Sequence, residues 1–138
     1  MRQSSAILRF RTDGRGLMDI SEDISAWIRQ TGIADGLLTL FCRHTSASLL
    51  VQENAAPEVR HDLLAWLERI APESDRYSHR DEGPDDMPAH LRTALTGVNL
   101  SIPIIGGRMQ LGTWQGIYLA EHRSAPHDRE IALHVFGD

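Results

Sequence analysis

The chain has 138 residues, with 14 basic and 19 acidic side chains and a formal net charge of −5. This length predicts one domain over residues 1–138, and the acidic balance argues against a nucleic-acid partner. No apolar run is long enough to span a membrane, and we expect a cytoplasmic protein without a membrane partner.

All 14 basic residues are arginine, so no lysine is present. This absence excludes Schiff-base catalysis and a P-loop, although a GC-rich genome would explain it equally well. The single cysteine, Cys42, excludes an internal disulfide and a four-cysteine zinc site, and seven histidines are more than a chain of this length usually carries. Because Cys42 lies in an apolar run, we expect a buried and inert thiol.

The first third of the chain predicts two strands and a helix. Partial alternation predicts a strand over residues 6–11, and apolar positions 20, 24, 27 and 28 have helical spacing. Gly32 is placed to end this helix. The continuous apolar run 36–42 predicts a central strand that is buried on both faces.

The rest of the chain predicts two more helices, over 57–70 and from 88 to about 96, separated by a polar loop over 71–86. Further strands are predicted over 47–51, 98–104, 108–111, 113–121 and 130–136. Strands and helices do not alternate regularly, which argues against a doubly wound parallel sheet. We therefore predict an α+β fold with a mostly antiparallel, sandwich-like sheet core and about three short helices.

The first candidate site is the run 44–48, just after the predicted central strand. It places the imidazole of His44 beside the hydroxyls of Thr45, Ser46 and Ser48. These groups could bind a substrate, or they could form a polar strand connection stabilised by Ser/Thr turns.

The second candidate site is the histidine pair His79 and His90, which flank an acidic loop. With His44 they could form a three-histidine metal site that leaves one position open for water or substrate. Asp86 and its acidic neighbours could then orient the rings. The spacing matches no compact zinc motif, and His90 could equally be a hydrogen-bonded surface residue.

The third candidate site is the run 112–116, in which Thr113 and Gln115 are expected to share one face of a strand. Trp114 is expected on the opposite face, in the core or at a subunit interface. The same strand ends in the ionisable run 121–123, for which a solvent-exposed surface is the simpler interpretation. Arg129 could bind a phosphate through two parallel hydrogen bonds.

Six blocks in order are similar to the YjbQ-like family, described as secondary thiamine-phosphate synthases, and they cover nearly the whole chain. They are His44-Thr45-Ser46-Ala47-Ser48-Leu49, Gln52-Glu53-Asn54, Val59-Arg60-His61-Asp62, His79-Arg80-Asp81-Glu82-Gly83, Asp85-Asp86-Met87-Pro88-Ala89-His90 and Gly112-Thr113-Trp114-Gln115-Gly116-Ile117. Two departures are Ala56, where the family often has an acidic residue, and Gln52, where it has asparagine.

The resemblance implies a small α+β fold that assembles as a homotrimer with clefts between subunits. It also implies a transferase that joins a pyrimidine diphosphate to a thiazole phosphate and releases pyrophosphate. The thiazole nitrogen needs no general base, so the histidines fit better as metal ligands or phosphate donors. The leaving pyrophosphate needs positive charge, which in a chain without lysine must come from arginine, histidine, backbone N–H groups or a metal.

The resulting hypothesis is an enzyme that binds a small phosphorylated metabolite and a divalent metal, zinc or magnesium. Two alternatives stay open: a metal-dependent hydrolase of a phosphorylated or amide substrate, and a non-catalytic trimeric metabolite-binding protein. The expected catalytic residues are His44, His79, His90 and Asp86, with the three histidines as metal ligands. The expected substrate-binding residues are Thr45, Ser46, Ser48, Asn54, Thr113, Gln115, Glu121 and Arg129.

Overall fold

The computed structural model describes residues 1–138 and contains two antiparallel sheets with three helices. The strands are β1 (Arg2–Arg11), β2 (Gly16–Asp19), β3 (Gly36–Cys42), β4 (Ala47–Glu53), β5 (Asn99–Ile105), β6 (Arg108–Met109), β7 (Gln115–Glu121) and β8 (Asp128–Gly137). The helices are α1 (Ser21–Thr31), α2 (Pro57–Ile70) and α3 (Asp86–Thr96). The predicted α+β class is therefore confirmed.

The five-stranded sheet has the order β1-β8-β3-β5-β6, and the three-stranded sheet has the order β2-β7-β4. Both sheets and α1 contribute side chains to one hydrophobic core. Its residues include Leu40 from β3, Leu49 from β4 and Leu119 from β7. Because the strands share one core, a shift of one residue in the pairing of any strand would turn its apolar side chains towards solvent.

Only one face of β3 is buried, so the expectation of burial on both faces is wrong. Leu38, Leu40 and Cys42 lie in the core, whereas Phe41 on the opposite face is 47% exposed. The strand with two buried faces is β7, in which every residue from Gly116 to Glu121 is buried. It is the central strand of the smaller sheet, and its Tyr118 hydroxyl accepts a hydrogen bond from Arg60 of α2.

The helix limits follow from local signals. Helix α1 begins after Asp19, whose Oδ1 accepts the Ser21 N–H at 2.9 Å, and it ends at Gly32 with φ 71°. Helix α2 has the predicted bounds, but of its apolar stripe only Leu67 is buried. Helix α3 begins two residues earlier than predicted, which places Asp86 in its first turn. None of the three helices has the length and apolar character needed to cross a membrane.

The shared core predicts an unequal cost for two leucine truncations. Leu40→Ala removes a fully buried side chain and should lower the free energy of unfolding by about 3 kcal/mol. Leu95→Ala removes a side chain that is 55% exposed and should change it by less than about 0.5 kcal/mol. Urea denaturation followed by circular dichroism measures both. Equal losses would contradict the placement of β3 in the core.

Candidate functional site

Two imidazoles and one carboxylate converge at the start of α3. Asp86 Oδ2 lies 2.8 Å from His79 Nε2 and 3.0 Å from His90 Nε2. The three ligand atoms lie within 4.8 Å of one another. Asp86 is only 2% exposed, whereas both rings are partly open to solvent. We call these three residues the His79–Asp86–His90 cluster.

Helix geometry and one loop contact assemble this cluster. Asp86 and His90 are four residues apart on α3, so their side chains lie on the same face in adjacent turns. His79 comes from the polar loop that precedes the helix, and its ring centroid lies 5.6 Å from that of His90. The sequence predicts that Asp86 orients the ligand rings without being a ligand itself. The structure places it among the ligand atoms.

Arg123, just beyond the end of β7, holds the acidic side of the cluster. Its Nε donates to Asp85 Oδ2 and its NH1 donates to Asp86 Oδ1, each at 2.9 Å. Its NH2 donates to the backbone oxygen of Glu82 at 2.9 Å. With one oxygen of Asp86 engaged by Arg123, the other oxygen is directed at the two imidazoles.

The hydrogen bonds of His90 show that a proton or a cation must lie between its Nε2 and Asp86. Thr45 O can only accept, so His90 Nδ1 donates to it, at 2.7 Å. A neutral His90 ring would then direct the Nε2 lone pair at the Asp86 carboxylate. The arrangement therefore needs a second proton on the ring or a bound cation. Burial alone would raise the pKa of Asp86, but the His79 hydrogen bond and the charges of His90 and Arg123 lower it below its usual value.

His44 does not join the cluster. Its Nε2 accepts the Glu130 N–H at 2.7 Å, and Asp86 takes the position expected for it among the ligand atoms. Burial and the nearby Arg129 charge lower the pKa of His44, so the ring is neutral at pH 7. Cys42 is buried as expected, and burial raises its pKa to about 11.

A groove of about 990 Å³ runs beside the cluster, between the end of β3 and α3. Thr45 and His90, which are hydrogen-bonded to each other, also line it. We call it the α3 groove, and its other walls include Phe41, His44, Thr93, Ala94 and Val98.

Arg129 is not free to bind a phosphate in this arrangement. It is buried, and its Nε and NH2 both donate to the Glu121 carboxylate, while NH2 also donates to Ser46 Oγ at 3.0 Å. Thr12 donates to the same carboxylate at 2.6 Å. Burial opposes ionisation of Glu121, but the Arg129 and Thr12 hydrogen bonds lower its pKa. The three expected substrate-binding residues Ser46, Glu121 and Arg129 thus form part of a buried polar network.

The exposed surface expected for residues 121–123 is wrong, because Glu121 and His122 are buried. His122 Nε2 lies 2.8 Å from Ser48 Oγ, which accepts the Thr96 hydroxyl at 2.6 Å. Ser48 is fully buried, so it links β4 to α3 within the protein. The missed signal is the apolar run 117–120, since residues that continue a strand buried on both faces are expected to be buried too.

Asn54 and Gln115 lie at the other end of the smaller sheet. Glu53 pairs with Gln115 there, and Ala47 pairs with Glu121 at the cluster end. Six residue steps separate these pairs, which corresponds to roughly 20 Å. Gln115 Oε1 accepts the Gly112 N–H at 2.7 Å. Within one chain, Asn54 and Gln115 therefore do not contact the cluster.

Neighbouring Thr113 precedes β7 rather than lying on it, so the predicted shared strand face with Gln115 is wrong. Trp114 is 62% exposed, which excludes the core position that had been one of its two predicted locations. The turn that contains both residues presents them at the surface of the chain.

The buried His122 predicts loss of stability as the pH falls. Burial lowers its folded-state pKa to about 4, whereas the unfolded state takes up the proton near pH 6.5. The stabilisation is complete above pH 6.5 and is lost towards pH 4, by about 3 kcal/mol in total. The free energy of unfolding, measured by urea denaturation between pH 7 and 4.5, should fall less steeply for His122→Gln than for the wild type. His61→Gln, at an exposed site, should keep the wild-type dependence. Equal slopes for all three proteins would contradict the assignment.

Comparison with known proteins gives the family. Residues 6–138 match the family model described as "UPF0047 protein YjbQ-like". The UPF0047 protein sll1880 of Synechocystis is 49% identical over 138 residues, covering 99% of this chain and 94% of the relative. Escherichia coli O157:H7 YjbQ is 46% identical over 75% of each chain. A Clostridium acetobutylicum YjbQ/UPF0047 structure of 31% identity superposes with a TM-score of 0.88, covering 95% of this chain and 99% of the other. The chain belongs to the YjbQ/UPF0047 family.

Proposed function

We propose that this protein is a metal-dependent transferase that joins two small phosphorylated metabolites and releases pyrophosphate. The observation that carries the proposal is the position of Asp86 Oδ2 within hydrogen-bonding distance of two imidazole nitrogens. A carboxylate and two imidazoles whose ligand atoms lie within 4.8 Å of one another suit a divalent metal.

The donor set favours zinc over magnesium. Imidazole nitrogen is a good ligand for zinc, whereas magnesium prefers oxygen ligands and retained water. The Thr45 carbonyl and the Arg123 guanidinium orient His90 and Asp86 in the way outer partners usually orient metal ligands. A bound divalent cation supplies positive charge next to a leaving pyrophosphate.

The surrounding groups support transfer to a nucleophile that needs no deprotonation. Arg129 is neutralised by Glu121, so it is not available to pyrophosphate, and a cation held by the cluster would supply positive charge there. His44 Nε2 is occupied by a backbone N–H and is not free to act as a base. The thiamine-phosphate synthase reaction implied by the sequence resemblance has these requirements.

Hydrolysis of a phosphorylated or amide substrate is the second candidate. Glu82 lies four residues before Asp86, in the loop that precedes α3. Glu82 is exposed, and its backbone oxygen is held by Arg123. It is therefore placed to accept a proton from a water molecule near the cluster.

Removing either histidine tests the proposal. His79→Ala and His90→Ala should each lower the affinity for zinc by at least about 100-fold. They should lower by at least the same factor the rate at which a pyrimidine diphosphate and a thiazole phosphate release pyrophosphate. Elemental analysis, zinc titration calorimetry and a coupled pyrophosphate assay measure these changes. The matched control is His61→Ala, which replaces an exposed histidine outside the cluster and should keep both properties.

Circular dichroism checks that the variants remain folded. Full activity in both cluster variants would overturn the assignment. Zinc-dependent release of inorganic phosphate without condensation would select the hydrolase. Tight metabolite binding without turnover would select the non-catalytic alternative.

We also propose that the protein is a homotrimer, as the resemblance implies. The outer face of the five-stranded sheet supports an interface, since Ile7, Phe136 and Ile105 are each more than a third exposed there. Such an apolar face is unusual on a monomer. In a trimer, Asn54, Thr113 and Gln115 would act on a substrate from the neighbouring subunit, because their own cluster lies at the opposite end of the sheet.

Light scattering tests the assembly. The wild type should have three times the chain mass of 15.5 kDa, and Phe136→Asp should dissociate it to monomers because a carboxylate is costly in an apolar interface. The exposed Leu95 lies on α3, away from this face, so Leu95→Asp should leave the mass unchanged. A monomeric wild type would contradict the proposal.

A further inference from the structure

We infer that the α3 groove binds the uncharged, ring-sized organic part of a phosphorylated substrate whose phosphate end lies at the His79–Asp86–His90 cluster. The inference rests on the proposed function, and it adds where the rest of the substrate lies and which residues select it. Three independent features of the groove support it: its size and apolar walls, its unpaired polar groups and its continuity with the cluster.

The walls suit a flat apolar group. A volume of about 990 Å³ lies at the upper end of the range for small-molecule sites, and such sites are mostly apolar with few polar groups. Phe41, Ala94 and Val98 supply apolar surface, and the charged Arg43 in the lining is paired with Glu130. The Phe41 side chain is 47% exposed, so it can stack against a ring without moving other residues.

Two polar groups in the groove lack partners. The Thr93 hydroxyl is buried and makes no hydrogen bond within the chain. Because Nε2 of the neutral His44 accepts a backbone N–H, its proton is on Nδ1, which makes no hydrogen bond in the chain. The free Nδ1–H of His44 is suited to a heteroatom of a polar ring in the groove, whereas the Thr93 hydroxyl is too buried to reach a ligand without a movement of α3.

Continuity with the cluster defines the orientation. His90 directs Nε2 at Asp86 and also lines the groove, and Thr45 holds the same ring through its carbonyl oxygen. The charged end and the apolar end of the site are therefore separated by one side chain. A ligand with a phosphate on a ring substituent can therefore contact the cluster and the groove at the same time.

The test compares two probes, inorganic phosphate and benzyl phosphate, on zinc-loaded protein by titration calorimetry. Benzyl phosphate should bind at least about tenfold more tightly, because its ring is removed from water. In Ala94→Trp, which fills the groove, the ratio of the two affinities should fall towards one. Leu95→Trp, on the next residue of α3 but 55% exposed, should keep the wild-type ratio.

A metal-free arm separates this inference from the proposed function. Benzyl alcohol, added without zinc, should shift the backbone amide signals of Phe41, Thr93 and Val98 in the NMR spectrum of the wild type. The same shifts should occur in Leu95→Trp but not in Ala94→Trp. Those shifts support the groove even if zinc does not bind. Absence of shifts, equal affinities for the two phosphates, or a groove filled by a second copy of the chain would each overturn the inference.

Discussion

The ion pairs between Arg123 and the adjacent carboxylates of Asp85 and Asp86 are the interaction on which the candidate site depends. Arg123 donates from three nitrogens to three acceptors on the loop and the first turn of α3. Without these bonds, Asp86 would be a buried carboxylate facing two imidazoles with no defined orientation, which is costly in a protein interior. The guanidinium thus sets the start of α3 and the direction of the free Asp86 oxygen.

The last residue of β7 and the two residues that follow it bind side chains on several other elements of the fold. Glu121 binds Arg129 of β8, His122 reaches Thr96 of α3 through Ser48 of β4, and Arg123 holds the start of α3. Three consecutive residues therefore connect the smaller sheet to the larger sheet and to both ends of α3. A site attached in this way to a buried strand is held more rigidly than its loop location alone would indicate.

The sequence alone determined the features that depend on neighbouring residues. Helical spacing and Gly32 predicted α1, and Pro57 with the apolar period predicted the bounds of α2. Alternation predicted β1 and β8, and a continuous apolar run predicted β3, which together favoured the α+β class. The ordered blocks predicted the family that the comparisons confirm. The sequence predicts His44 as the third metal ligand, but it also predicts His79, Asp86 and His90 as catalytic residues. They come from a short stretch of chain in which two of them are one helical turn apart, so local periodicity brings them together.

Only the tertiary structure decided which residues are buried and which side chains from distant parts of the sequence are paired. Alternation shows which residues share a face, but it does not show whether that face is covered, so Phe41 is exposed while Glu121 and His122 are buried. The sequence does not show whether Arg129 binds a phosphate or pairs with another side chain, because its partner Glu121 lies on a strand of the other sheet. Likewise, Gln115 and His90 lie at opposite ends of one sheet because strand pairing, which joins residues far apart in sequence, leaves no local pattern.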